Sequence, residues 1–206
     1  MSEETPSRTL DPDTVAADPL AQFNDWLDQA RAADLVEPTA MALATADADG
    51  RPSVRMVLFK GLRDGGLCFY TNYESHKADD LAQNPQASVV FWWDRLERQV
   101  RVSGPVTRFA AGESDDYFHS RPRISQLAAY TSRQSRAVAS RDEMHARLER
   151  NTARFAGGDV PCPAHWGGYR LQPDHFEFWQ GQRGRFHDRV VYTPSGNGWR
   201  KTRLEP

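Results

Sequence analysis

The stretch EFWQGQRGRFHDRV, Glu177 to Val190, sets Arg183, Arg185, His187 and Arg189 at every second position. On a strand, alternate side chains share one face. Four potential cations on one face repel one another unless an anion lies among them. A second basic pair occurs in RMVLFK, Arg55 to Lys60. There Val57 and Phe59 share a face with Arg55, while Met56 and Leu58 share the other with Lys60. A strand apolar on both faces is expected to be buried. Each of its cations then needs an anionic partner or a place at the strand's exposed end. Internal Asp or Glu residues would meet that need as well as a ligand would.

Two further segments have residues suited to phosphate-type chemistry. In YTNYESHK, Tyr70 to Lys77, a strand ends in hydroxyl and amide residues and enters a helix at Ser75. A helix N-terminus presents free N–H groups and a positive dipole end, and Lys77 in the first turn opposes that dipole unless an anion binds there. A solvated surface lysine is the alternative. YFHSRPRISQ, Tyr117 to Gln126, gathers a phenol, arginines and serine hydroxyls around a helix break, either as a second anion site or as a polar loop. Gln99, Gln134 and Ser135 add groups that can read a ring edge with both donors and acceptors.

Other chemistries lack their residues. There is no defensible Ser/His/Asp order, no paired-carboxylate signature, no P-loop and no GxGxxG. The two cysteines are far apart and show no Cys/His ligand spacing, so no metal site is expected. A net charge of -2, with acidic residues interspersed throughout, argues against nucleic acid as a partner. Several phosphate-type sites without an evident nucleophile is the pattern expected when an organic cofactor supplies the chemistry.

The elements that must position these groups are legible in outline. The chain of 206 residues is 39% hydrophobic and 26% charged, which suits one soluble domain with a real core. Residues 1–17 are polar and read as a flexible tail, with residues 18–206 as the domain. The N-terminus has no signal-peptide core and no apolar run is long enough to span a bilayer, so a cytoplasmic location is expected. DPLAQFNDWLDQARAADL gives a helix capped by Asp18, with Pro19 at its first position. AMALATA, SVRMVLFKGL, GLCFYTN, SVVFWWD and RQVRVSGPVTRF read as strands. HKADDLAQ, ESDDYFHS, ISQLAAY and MHARLERNTARFA read as helices, the last behind a Ser140/Glu143 capping box. GGYRLQP, HFEFWQG, RGRFHDRVVYTP and GWRKTRLEP return to strands. This order predicts an α+β fold, an antiparallel barrel with helices outside it.

RMVLFK, FYTNYESHK, LERQVRVSG, YFHSRPRISQ, SRQS, WGGYR, EFWQG, RFHDR and the ending RLEP follow one another from about Asp18 to Pro206. Together they resemble the pyridoxamine 5'-phosphate oxidase family. The resemblance implies a Greek-key FMN-binding split barrel and a homodimer with FMN at the subunit interface. It implies oxidation of pyridoxamine or pyridoxine 5'-phosphate to pyridoxal 5'-phosphate, by hydride transfer to flavin N5, with O2 reduced to H2O2. For FMN it implies Arg55, Met56, Val57, Leu58, Phe59 and Lys60, then Tyr70, Thr71, His76 and Lys77, then Gln99, Gln134, Ser135, Trp179 and Arg189. For the substrate it implies Lys60, Tyr117, Arg121 and Ser125 on the phosphate, and Arg185 and His187 at the reacting side as the catalytic pair. Two alternatives stay open: a related FMN-dependent oxidase acting on a phenazine-type precursor, and a non-catalytic flavin or pyridoxal-phosphate binder. The chain departs from the family pattern at His76, where arginine is usual, at Ala128 and at Phe186. The family's N-terminal Arg/Tyr segment has no match before Asp18.

Overall fold

The computed structural model describes residues 9–206. Asp18 caps the first helix, α1 (Pro19–Ala32), by accepting from the Leu20 amide, and Pro19 stands in its first turn. That local chemistry puts Phe23, Trp26, Leu27 and Ala30 on one buried face. Each large side chain so buried contributes about 1.5–3 kcal/mol. The face lies against a sheet of ten strands: β1 (Ala40–Ala46), β2 (Pro52–Leu58), β3 (Leu62–Arg63), β4 (Gly66–Asn72), β5 (Gln86–Trp93), β6 (Arg98–Arg108), β7 (Trp166–Leu171), β8 (His175–Gln180), β9 (Asp188–Ser195) and β10 (Gly198–Leu204). Four more helices, α2 (His76–Gln83), α3 (Asp115–Ser120), α4 (Arg123–Thr131) and α5 (Arg141–Arg154), interrupt the strands.

All strand pairs are antiparallel, in the order β10-β9-β8-β6-β5-β1-β2, with β7 and β4 leaving from β6. The long strand β6 makes the split. Its first part, Arg98–Ser103, pairs with β8, and its last part, Val106–Arg108, pairs with β7. Gly104 lies at the changeover, where a Cβ would fall 2.0 Å from the Gln172 carbonyl oxygen. Only glycine lets the crossing backbone close in, and Asp174 N–H then bonds Ser103 O at 3.0 Å. The fold is the expected α+β split barrel. Its core joins α1 to Met41, Phe91, Trp93, Val100, Phe176, Phe178 and Tyr192. A smaller cluster, Phe118, Leu127, Val160 and Trp166, lies at α3 and α4. Among the described residues no helix is long and apolar enough to cross a membrane.

Three expectations need correction. First, RGRFHDRVVYTP is not one strand: Gly184 (φ 70°) and Arg185 (φ 64°) both take left-handed backbone, residues 183–185 form a 3-10 turn, and β9 begins only at Asp188. The alternation of Arg183, Arg185, His187 and Arg189 on one strand face is therefore broken. Second, β2 is not buried on both faces. It is an edge strand that stops at Leu58, and Val54, Met56 and Leu58 are 71%, 63% and 38% exposed. Third, residues 9–17 are not a loose tail. Leu10 is buried in the core, Tyr192 Oη donates to Ala16 O at 2.8 Å and Lys201 Nζ donates to Val15 O at 3.2 Å. Residues 1–8 of that expected tail lie outside the described residues.

Candidate active site

β2, β4, the start of α2 and the α3–α4 break surround a cleft of about 1030 Å³. Arg55, Lys60, Lys77 and Arg121 line it, and among the described residues no Asp or Glu does. The end of β4 delivers Tyr70 and Thr71, and α2 delivers His76 and Lys77 from its first turn. Lys77 is 6% exposed, yet its Nζ meets only neutral oxygens: Thr71 Oγ1 at 3.1 Å, Ser75 Oγ at 3.2 Å and Gln134 Oε1 at 2.7 Å. Burial, with Arg55 nearby, pulls its pKa down to about 8. Thr71 Oγ1 also donates to Gln134 Oε1 at 3.0 Å, which ties the loop after α4 to β4.

Arg55 resolves the internal-salt-bridge alternative in part. Its Nη1 donates to Thr45 Oγ1 at 2.6 Å and its Nη2 stands 3.6 Å from the buried Asp80 carboxylate. Burial pushes the guanidinium below the usual arginine range, and Asp80 opposes that shift. His76 Nε2 is 3.4 Å from the other Asp80 oxygen. Arg55 thus has an internal counter-charge and still faces the cleft. Lys77 has no ion-pair partner among the described residues.

Aromatic rings also line the cleft. Tyr70 stacks on Tyr117 at 4.0 Å between ring centroids and on Trp166 at 5.4 Å. Gly168 admits this packing, since a Cβ there would meet the Phe109 ring at 2.5 Å and Tyr70 at 3.0 Å. Arg121 lies over Trp166 at 4.6 Å, and its Nη2 donates to Ser125 O at 3.2 Å. Its Nη1 is buried with no hydrogen-bond partner among the described residues. Burial lowers the Arg121 pKa as well. A buried N–H of this kind is costly unless a ligand accepts from it.

The remaining expected residues lie elsewhere. The Phe59 side chain is in the core, edge-on to Phe23 at 5.4 Å, so it does not line the cleft. Gln99, Trp179, Arg185, His187 and Arg189 are not cleft residues either. Gln99 pairs across strands with Trp179, Trp179 pairs with Arg189, and the Trp179 ring is 4.5 Å from that of His187. Of these cations Arg189 has an anionic partner, the buried Glu177, which it meets through Nε at 2.8 Å and which Arg101 also holds. Burial pushes the Glu177 carboxyl up, but the hydrogen bonds from Arg189 and Arg101 outweigh it and leave its pKa below the ordinary value. The chain therefore carries two patches, a cleft and a separate His187–Arg189 patch. Asp80, Trp166 and Asn72 are site residues with no role expected from sequence. Trp166 opens the quoted WGGYR motif, whereas the Asp80 contact with Arg55 crosses between elements and leaves no spacing signal.

The split barrel thus carries a cleft that joins cations and an aromatic wall, with no carboxylate among the described residues, a lining chemically suited to a phosphorylated aromatic ligand. The comparisons with known proteins agree with that class. Residues 27–154 match the family model described as pyridoxamine 5'-phosphate oxidase, and residues 166–206 match one described as a pyridoxine 5'-phosphate oxidase C-terminal dimerisation region. A pyridoxine/pyridoxamine 5'-phosphate oxidase from Deinococcus deserti is 56% identical over 192 residues, covering 92% of this chain and 90% of its own. One from Salinibacter ruber is 50% identical over 210 residues, covering 100% and 97%. The structure of PhzG from Burkholderia lata, in complex with tetrahydrophenazine-1-carboxylic acid, superposes with a TM-score of 0.90 at 32% identity, covering 97% and 98% of the two chains. The chain belongs to the pyridoxamine 5'-phosphate oxidase family, and it is an oxidoreductase. Membership implies FMN as cofactor. The residues fit that group: among the described residues Lys77 is buried without a counter-charge and the cleft has no acid to repel a phosphate.

Proposed function

We propose that this protein oxidises pyridoxamine 5'-phosphate and pyridoxine 5'-phosphate to pyridoxal 5'-phosphate, with O2 as final acceptor and H2O2 as by-product. Such a reaction serves vitamin B6 synthesis and salvage. The observation that carries this reading is the cleft, which among the described residues has four cations, no carboxylate and a buried Arg121 Nη1 without a partner. Bound FMN would supply the two-electron acceptor for the hydride leaving the substrate's C4' carbon. Arg55, Thr71, His76, Lys77, Gln134 and Ser135 would hold it from the cleft, alongside Met56, Val57, Leu58 and Tyr70. Lys60, Tyr117, Arg121 and Ser125 would hold the substrate phosphate, which fixes the ring and excludes water from its face.

The second patch would complete the site from another copy of the chain. Its residues lie off the cleft within one protomer, and the segment that carries it matches a dimerisation region. Exposed Val54, Met56 and Leu58 on the edge strand β2 line the same cleft and would be covered in a homodimer. Trp179, Gln99 and Arg189 would then border the flavin, while Arg185 and His187 would face the substrate. The likeness to PhzG keeps a phenazine-type substrate as the second reading. The phosphate-directed cations favour the B6 vitamers.

The purified protein should be yellow and release FMN on denaturation. With pyridoxamine 5'-phosphate in air it should form pyridoxal 5'-phosphate and H2O2 in equal amounts. A colourless protein that cannot be reconstituted with FMN, or one that turns over only an unphosphorylated tricyclic precursor, defeats the reading.

A further inference from the structure

The turn that carries Arg185 and His187 is tied at both ends by residues so far without a role. Gln182 N–H donates to His187 Nδ1 at 3.1 Å, across the turn. Gln182 Nε2 donates to Asp188 Oδ2 at 2.8 Å, so the residues flanking the turn are also joined by their side chains. Asp188 is anchored in turn: Arg203 Nη1 donates to its Oδ1 at 2.7 Å and Leu10 N–H to its Oδ2 at 3.2 Å. Arg203 Nη2 reaches Asp11 Oδ2 at 2.8 Å, which fastens residues 10 and 11 to the same hub. Between these ties, Gly184 and Arg185 stand consecutively in left-handed backbone. An arginine seldom adopts that conformation, and it persists only where its surroundings hold it. Arg185 is exposed and has no ion pair among the described residues.

We propose that Gln182 and Asp188 are positioning residues, which hold His187 as its Nε2–H tautomer and fix the Arg185 turn toward the substrate. A neutral imidazole has one acceptor nitrogen and one donor nitrogen. Because Nδ1 accepts from the Gln182 amide, the ring proton belongs on Nε2, and His187 offers a hydrogen-bond donor away from the turn. Asp188 sets the Gln182 side chain and thereby the amide that chooses the tautomer. The inference rests on the reading above that Arg185 and His187 face the substrate.

The test is two-dimensional NMR of ring-15N-histidine-labelled holoenzyme in alkaline buffer, with the His187 signal assigned by His187→Gln. His187 should show a bare Nδ1 and a protonated Nε2. Asp188→Ala should give a mixture of tautomers and lower kcat/KM for pyridoxamine 5'-phosphate by up to about 100-fold, with FMN content unchanged. Gln182→Ala, which keeps the Asp188–Arg203 pair, should shift the tautomer in the same direction and guards against a folding defect. A native His187 protonated on Nδ1, or an unaltered tautomer in both variants, overturns the proposal. So does a shifted tautomer with native turnover, and Arg185→Ala then locates the failure. Native turnover in Arg185→Ala removes the substrate reading beneath it, whereas lost turnover there removes the positioning role alone.

Discussion

Lys77 is a buried ammonium among neutral oxygens, with its pKa pulled down to about 8 by burial and then by Arg55. A phosphate beside it would favour the charged form, so binding above that pH must take up a proton. FMN affinity of the apoprotein should therefore fall as pH rises through about 8. Lys77→Met should abolish that slope and weaken binding by about 10- to 100-fold, the worth of one charge-assisted hydrogen bond. Fluorescence-quenching titration measures both, and a flat pH profile in the native protein would count against the site. Lys77 drew notice in sequence because a first-turn lysine conflicts with its helix dipole, but that conflict alone did not distinguish a solvated surface lysine from the buried one found. Asp80 did not, because its partner Arg55 arrives from another element. Gln182 and Asp188 were also missed: a backbone amide meeting a ring nitrogen leaves no pattern of residue types.

At the scale of elements, Glu177 on β8 joins Arg101 on β6 to Arg189 on β9 across three adjacent strands. Its folded pKa lies below the ordinary 4.5. The triad's stabilisation is thus present above that value and is lost as pH falls through the folded pKa. Glu177→Gln should cost about 2 kcal/mol at neutral pH and flatten the acid limb of the stability curve, as read by thermal melts across pH. Equal melting temperatures for the two proteins at neutral pH would refute the triad's role. Most element positions were readable from periodicity and caps: α1 begins behind Asp18, α2 spans His76–Gln83 as expected, and α5 follows Ser140. Two things were not. Tandem left-handed residues at Gly184 and Arg185 ended the apparent strand, and alternation alone cannot foresee them. The apolar outer face of β2 read as core because side-chain pattern does not distinguish a core from an edge that a second chain would cover.

For the whole molecule, the separation of the cleft from the His187–Arg189 patch predicts a dimer of twice the 23.3 kDa chain mass, with two shared sites. Arg121→Ala and Arg185→Ala proteins, each impaired alone, should regain activity when unfolded and refolded together. Half the dimers are then mixed and each holds one intact site, so about a quarter of native activity returns. No recovery would place both residues in one protomer's site. On the proposed function the cleft reads a phosphate on a B6 vitamer. Oxygen uptake with pyridoxamine 5'-phosphate and with unphosphorylated pyridoxamine, in the native protein and in Arg121→Ala, tests it most directly. The native protein should prefer the phosphorylated amine by at least about 100-fold in kcat/KM, and Arg121→Ala should lose about 10-fold or more of that preference. Equal rates on the two amines in the native protein would contradict it.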